Sequence, residues 1–220
     1  MRLEGGTRPR AGQCGPMEQE AGAIGTNKRD RVRPGAIILA RHGRPKGDRR
    51  VRVDWRGYIA WWAQYDRDGL SEGQTPPQAL IDIAAKADVV FASTLQRAIE
   101  TAQAVAPGRE LVLDQIFVEA PLPPPPIPGK RRAKDWGVWA RAAWWLGRSA
   151  GGETRKEAEA RAEAAVATLT ARALRGETVL LCAHGWFNRM MRPVLIAQGW
   201  RCVEDHGDKY WSFRRYVKLR

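Results

Sequence analysis

Two histidines stand at positions where β-strands are predicted to end. Arg41 and His42 come directly after the apolar run 36–40, and His184 comes directly after the apolar run 178–183. The chain has 220 residues and three histidines, so chance is a poor explanation for two of them following strands. In open α/β sheets, ligands bind beyond the carboxyl ends of the strands. If these two strands are neighbours, two imidazoles and a guanidinium meet at one edge of the sheet.

Arg97 lies in the first turn of a helix predicted over 95–106, after a predicted strand at 88–92. Thr94 is the predicted N-cap, because a hydroxyl there can accept a bond from a free helical N–H. A cation in the first turn opposes the helix dipole at a cost of roughly 0.3–1 kcal/mol. An anion bound between the guanidinium and the helix amides would offset that cost. The alternative is an exposed arginine whose charge is screened by water.

Glu119 is a lone carboxylate at the end of a third predicted strand, 110–118. It can serve as a proton donor at the same edge of the sheet. The alternative is a salt bridge to Arg41 or Arg97. His206 is interpreted as a loop histidine, since no strand is predicted before it. The candidates for chemistry are therefore two arginines, two histidines and one carboxylate.

The elements that position these residues alternate between β-type runs and helical patterns, which is typical of an α/β domain. Strands are predicted at 36–40, 88–92, 110–118, 178–183 and 211–217, and helices near 56–66, 76–86, 95–106, 135–147, 153–175 and 187–198. In the clearest helix, 153–175, four residues share an apolar face: Ala162, Val166, Leu169 and Ala173. Glu157 and Arg161 are predicted to form an i,i+4 ion pair in it.

The segment 1–34 is rich in Gly, Arg and Pro and lacks the apolar run of a secretory signal. It is predicted to be a disordered basic tail. Residues 35–220 are predicted to form one domain with a lid insertion near 121–148, where prolines and tryptophans are concentrated. A cytoplasmic location is expected.

The formal net charge is +13, and ten of these charges lie beyond residue 34, which favours anionic partners. Nucleic acid is not expected as a partner, because there is no zinc-finger spacing, basic helical stripe or RNP-type strand. No uncharged apolar run approaches the roughly 20 residues of a membrane span. Three scattered cysteines indicate a reducing compartment and encode no zinc site.

Four pieces of the sequence, in order, resemble the histidine phosphatase superfamily, also called the phosphoglycerate mutase-like family. They are Leu39-Ala40-Arg41-His42-Gly43, the block from Ala92 to Ala102, Glu119, and Leu181-Cys182-Ala183-His184-Gly185. The resemblance spans roughly 36–217, and the first two motifs together are far more specific than either alone. It implies a three-layer α/β sandwich with a mostly parallel central sheet flanked by helices.

The resemblance implies that His42 is the nucleophile that accepts a phosphoryl group and that Arg41 and Arg97 hold its oxygens. His184 matches the second histidine of the pocket, and Glu119 matches the general acid. Two further residues complete the predicted substrate-binding set: Arg44 and Gly185. No metal or other cofactor is expected, because the guanidinium groups, an imidazole and helix amides can stabilise the charge of the transferring group.

The predicted function is hydrolysis of a phosphomonoester of a small molecule through a phosphohistidine intermediate. Two alternatives remain: a phosphoglycerate mutase-type phosphotransferase, and a non-catalytic module that binds anions or a membrane surface. The segments 44–70 and 130–148 combine basic residues with tryptophans, and they are predicted to roof the pocket and select the substrate. The alternative is that these tryptophans only pack the lid against the domain. The sequence does not indicate the oligomeric state.

Overall fold

A computed structural model describes residues 33–219, in which six strands form one sheet. The strands are β1 (Ala36–Arg41), β3 (Val89–Ala92), β4 (Leu111–Leu113), β6 (Val179–Ala183), β7 (Trp200–Asp205) and β8 (Phe213–Lys218), and β2 (Arg52–Val53) and β5 (Arg131–Arg132) form a separate ladder. The order in the sheet is β4-β3-β6-β1-β8-β7. The first four are parallel to one another, and β8 runs antiparallel to both β1 and β7. The sheet is therefore mixed but mostly parallel.

Six α-helices lie within the described region. They are α1 (Trp55–Arg67), α2 (Gln78–Ala85), α3 (Gln96–Val105), α4 (Ala133–Trp145), α5 (Arg155–Ala173) and α6 (Gly185–Ala197). None of these helices combines the length and apolarity needed to cross a membrane. All six predicted helices are confirmed, with ends that differ by a few residues.

The central strands are buried on both faces, which is why they are continuous apolar runs in the sequence. In β1, Ile37 and Leu39 pack toward α5 and α6, whereas Ile38 and Ala40 pack toward α2 and α3. Every residue of β6 is buried in the same way. The predicted three-layer sandwich is therefore confirmed.

The start of α5 corrects one prediction. Glu157 accepts a bond from the backbone N–H of Thr154 at 2.7 Å, while Thr154 Oγ1 accepts from the N–H of Glu157. This capping box satisfies N–H groups that the helix leaves free, so Glu157 does not pair with Arg161. Arg161 instead binds Glu153 at 2.6 Å.

The predicted strand 110–118 is also wrong over most of its length. The strand β4 ends at Leu113, because the side chain of Asp114 accepts a bond from the N–H of Ile116 and begins the 3-10 turn Gln115–Phe117. Glu119 therefore follows a turn and not a strand end.

Two other local predictions are wrong. The N-cap of α3 is Leu95 and not Thr94. The backbone N–H of Leu95 donates to the Ser93 hydroxyl at 3.2 Å. A strand, β7, does precede His206, although that side chain is exposed in the following loop and contacts Glu204.

The helices α1 and α4 pack against each other in a hydrophobic cluster separate from the two cores that flank the sheet. Tyr58 of α1 packs with Ala133, Trp136 and Ala140 of α4 in a buried cluster. The β2–β5 ladder joins the segments that lead into these two helices. The predicted tail, 1–34, lies outside the described residues except for its last two positions.

Candidate active site

His42 follows directly after β1 and is 3% exposed. Its Nδ1 lies 2.7 Å from the carbonyl oxygen of Gly43. A carbonyl can only accept, so Nδ1 carries the proton and the neutral ring has its lone pair on Nε2. A Cβ at Gly43 would lie 2.3 Å from the ring of Trp211, which explains the glycine after this histidine. The imidazole is thus fixed in one tautomer with a nucleophilic Nε2.

His184 follows directly after β6, and the parallel pairing of β1 with β6 brings it beside His42. The two ring centroids are 5.1 Å apart and the planes are inclined by 58°. His184 Nε2 lies 2.7 Å from the hydroxyl of Ser93. Within 33–219, its buried Nδ1 has no hydrogen-bond partner. A buried polar atom without a partner is costly, which is a reason to expect a ligand here.

Arg41 ends β1 and is held by the loop that joins β7 to β8. Its Nη1 donates to the carbonyl of Asp208 at 2.5 Å, and its guanidinium lies 4.5 Å from the ring centre of Tyr210. Its buried Nε has no partner among the described residues. A Cβ at Gly185 would lie 3.0 Å from this Nε, so the glycine makes room for the guanidinium.

Arg97 is 1% exposed at the start of α3. Its Nη1 donates to the carbonyl of Tyr65 at 2.8 Å, and its Nη2 forms a 3.0 Å ion pair with Asp66. Both partners belong to α1. Its Nε is buried without a partner in the described region. The guanidinium is therefore oriented from one side and keeps a donor for a ligand.

The environment keeps both histidines neutral at pH 7. Burial, and then the charges of Arg97 and Arg41, hold the pKa of His42 well below its usual 6.5. Burial and then Arg97, with smaller contributions from His42 and Arg41, lower the pKa of His184 in the same way. A neutral imidazole beside two guanidinium groups suits attack on an anionic phosphorus centre.

Glu119 lines the same cavity and makes no ion pair with Arg41 or Arg97 in the described structure. Its Oε1 accepts bonds from the N–H groups of Phe187 at 2.8 Å and of its neighbour Ala120 at 3.0 Å. Its Oε2 accepts from the N–H of Trp186 at 3.1 Å. Two of these donors are in the first turn of α6, so the carboxyl group caps that helix.

The structure brings together six of the seven predicted site residues. His184 adjoins His42, and the other five line one cavity of about 840 Å³: Arg41, His42, Arg97, Glu119 and Gly185. Arg44 lies outside it: its exposed guanidinium donates to Ser71, and its backbone N–H donates to Gln74. Among residues 33–219, no group of three or more His, Cys, Asp or Glu side chains is arranged to hold a metal ion.

Several residues around the site were not predicted from the sequence. Tyr210 lies 5.7 Å from the His42 ring and accepts a bond from Arg49 at 3.2 Å. Asp66 orients Arg97, and burial raises the pKa of its carboxyl group. Asp208 pairs with arginines of α6 and β8 while its carbonyl holds Arg41. No local pattern singles out these residues, because the contacts arise only in the folded chain.

Comparison with known proteins shows the family to which the chain belongs. The family model for the histidine phosphatase superfamily (branch 1) matches residues 37–201. The chain belongs to the histidine phosphatase superfamily, and it is an enzyme of that class. It is 29% identical over 177 residues to the 2,3-bisphosphoglycerate-dependent phosphoglycerate mutase of Rhizobium rhizogenes, a match covering 73% of this chain and 79% of the mutase.

Solved structures share the fold. The mycobacterial hydrolase 1 has a TM-score of 0.55 and 21% identity, with 83% of this chain and 90% of that chain covered. A mycobacterial glucosyl-3-phosphoglycerate phosphatase in complex with VO3 has a TM-score of 0.52 and 20% identity, with 82% and 92% covered. These neighbours support the fold class, and the chemistry must be argued from the site.

Proposed function

We propose that this enzyme hydrolyses a phosphomonoester without a metal ion, through a phosphohistidine at His42. The observation that carries the proposal is the bond from Nδ1–H of His42 to the Gly43 carbonyl, which leaves the Nε2 lone pair as nucleophile beside two arginines. A binding module could also use the buried donors to hold an anion, but it would gain nothing from a histidine fixed with a free Nε2 lone pair.

In the first step, the Nε2 lone pair attacks phosphorus and the ester oxygen leaves with the bonding electrons. Arg41 and Arg97 bind the equatorial oxygens, on which negative charge is spread during transfer. Their partners Asp208 and Asp66 hold the guanidinium groups in place, so little reorganisation is needed at the moment of reaction. His184 Nδ1 is the remaining candidate donor to a phosphoryl oxygen, in the tautomer that protonates it.

Glu119 is the proposed proton donor to the leaving oxygen. It lines the cavity with His42, and the amides of α6 fix the position of its carboxyl group. In the second step the same group, now ionised, accepts a proton from the water that attacks the phosphohistidine. Inorganic phosphate leaves, and Nε2 recovers its lone pair.

The second candidate function is phosphoryl transfer of the mutase type, which the Rhizobium rhizogenes relative supports. A mutase must keep water away from the phosphohistidine until the group is returned. The cavity of about 840 Å³ is in the range of sites for drug-sized ligands, and it leaves room for water beside a three-carbon acid. We therefore favour hydrolysis.

The two functions can be separated with purified protein in EDTA. Release of inorganic phosphate from alkyl and aryl phosphates is measured beside interconversion of phosphoglycerates, and the His42→Ala variant is the control. Hydrolysis requires phosphate release that depends on His42. Interconversion of phosphoglycerates faster than phosphate release would assign the mutase function instead, and full activity of His42→Ala would exclude both.

A further inference from the structure

The helix α4 presents an apolar face to the active-site cavity that none of residues 33–219 covers. Val138, Trp145 and Leu146 line the cavity and are 71%, 46% and 88% exposed. Ala142 lies between them, so the spacing follows one side of a helix. Two other aromatic residues of α4, Trp136 and Trp144, are fully buried and therefore pack within the protein. A cavity lined by exposed apolar side chains is the usual mark of a binding site.

A second part of the lining is aromatic and comes from α1, which packs against α4. Tyr58, Trp61, Trp62 and Tyr65 line the cavity. Their rings contact one another, with centroids 4.9 Å apart for Trp61 and Tyr65 and 5.3 Å apart for Trp62 and Tyr65. These contacts hold the wall rigid, so a ligand body can pack against it with little loss of side-chain entropy.

Besides Arg41 and Arg97, four cations line the cavity: Arg49, Lys134, Arg141 and Arg189. Three of them have partners in the protein, as Arg49 does in Tyr210, and Lys134 is exposed to solvent. Arg141 donates to the carbonyls of Ala120 and Pro121 and stacks 4.6 Å from the ring centre of Trp186. Arg189 pairs with Asp208 at 2.7 Å. Apart from Lys134 and the phosphate-binding arginines, the lining that these contacts leave over is therefore mainly apolar.

We propose that the substrate is a phosphomonoester of an elongated apolar alcohol, whose body lies along the cavity lining that α1 and α4 supply while its phosphate lies between Arg41 and Arg97. This inference rests on the proposed function, since the phosphate must reach His42 for the body to lie in this cleft. The contact area comes from Val138, Trp145 and Leu146 together with the α1 rings. The class includes alkyl and isoprenoid phosphates and excludes sugar phosphates as preferred substrates, because their hydroxyl groups would lose water without gaining partners.

The test compares butyl phosphate with octyl phosphate, both below the concentration at which they form micelles. Four added methylenes, even if only partly buried, should raise kcat/KM by about tenfold or more. The double variant Val138→Asn/Leu146→Asn should reduce this ratio to less than about threefold. The matched control is Ile196→Asn, which removes a 60% exposed aliphatic side chain of α6 that does not line the cavity and should keep the wild-type ratio.

A second arm measures binding of butylphosphonate and octylphosphonate by calorimetry, because phosphonates bind without being hydrolysed. Tighter binding of octylphosphonate, lost in the double variant, supports the apolar cleft even if neither ester is hydrolysed, in which case only the proposed function fails. Equal kcat/KM and equal binding for both chain lengths in the wild-type enzyme would overturn the inference. A preference that persists in the double variant would also overturn it, since the cleft would not be its source.

Discussion

Arg97 of α3 and Asp66 of α1 form a 3.0 Å ion pair beneath the active-site cavity. The arginine is buried and its second amino group binds the carbonyl of Tyr65, so α1 controls the position of the guanidinium through two contacts. The helix that supplies the aromatic wall therefore also orients an anion-binding residue. A change in α1 should alter catalysis even where it touches no substrate.

The first prediction concerns Asp66→Asn, which keeps the shape of the side chain and removes its charge. A charge-assisted hydrogen bond contributes about 1.5–3 kcal/mol, so kcat/KM should fall by roughly tenfold to a hundredfold. The exposed Asp82, which pairs with Gln78 on α2, provides the matched control Asp82→Asn. Steady-state kinetics and melting temperatures of both variants check this. Equal kinetics for the two would mean that Asp66 does not position Arg97.

The second prediction is that Arg41 and Arg97 stabilise the transition state more than the bound substrate. Arg97→Ala and Arg41→Ala should each lower kcat/KM by at least about a hundredfold, as the loss of one preorganised donor does. Arg97→Lys should restore little, because an ammonium group cannot replace a planar guanidinium that contacts two partners. Wild-type kinetics in Arg97→Lys would assign the arginine a structural role only.

The third prediction concerns stability below neutral pH. Burial and the arginines lower the pKa of His42 and of His184 in the folded protein, whereas the unfolded chain binds protons at both sites below about pH 6.5. The unfolded state therefore binds more protons, and the free energy of unfolding falls as the pH decreases. The slope should approach about 1.4 kcal/mol per pH unit for each histidine. The stability from these sites is complete above pH 6.5 and is lost on acidification.

Denaturant unfolding between pH 7.5 and pH 5.5 measures this slope. His184→Gln should remove about half of the contribution of the two histidines, because one titrating group is gone. A wild-type slope in His184→Gln contradicts the linkage.

The fourth prediction separates two roles of Glu119. If it donates a proton, Glu119→Gln should strongly slow hydrolysis of alkyl phosphates and only mildly slow that of an activated aryl phosphate, whose phenolate leaves unprotonated. The variant also weakens the bonds to the N–H groups of Trp186 and Phe187, so the melting temperature should fall slightly. Equal kinetic losses on both substrates, together with a lower melting temperature, would assign Glu119 to helix capping.

The parts of the site that follow strands could be predicted from the sequence. His42 and His184 come after continuous apolar runs that predict buried parallel strands, and the structure shows that these two strands, β1 and β6, are neighbours. Arg97 was identified because a cation at a helix start is unfavourable without an anion. The central sheet and the helices could be predicted for the same reason, since burial on both faces leaves a strong signal.

The remainder could not be predicted because it depends on contacts between distant segments. Tyr210 and Asp208 lie in a loop after β7, and that edge strand could not be predicted because only one of its six residues is buried, so it lacks the apolar run of the central strands. Asp66 is an ordinary polar residue of a surface helix until α3 packs beside it. Arg44 has the positive charge expected of a phosphate-binding side chain, yet its bonds to Gln74 and Ser71 hold it outside the cavity.

The most direct test of the account is to trap the intermediate on His42. Wild-type enzyme is mixed for milliseconds with a ³²P-labelled alkyl phosphate in EDTA and then quenched in base, which leaves phosphohistidine intact. A portion is then treated with acid, in which phosphohistidine loses its label and phosphoserine keeps it. Label should appear on the peptide that contains His42, and it should disappear at the rate of phosphate release. The His42→Ala variant should carry none. Turnover without labelled His42, or equal labelling of the variant, would contradict the central claim.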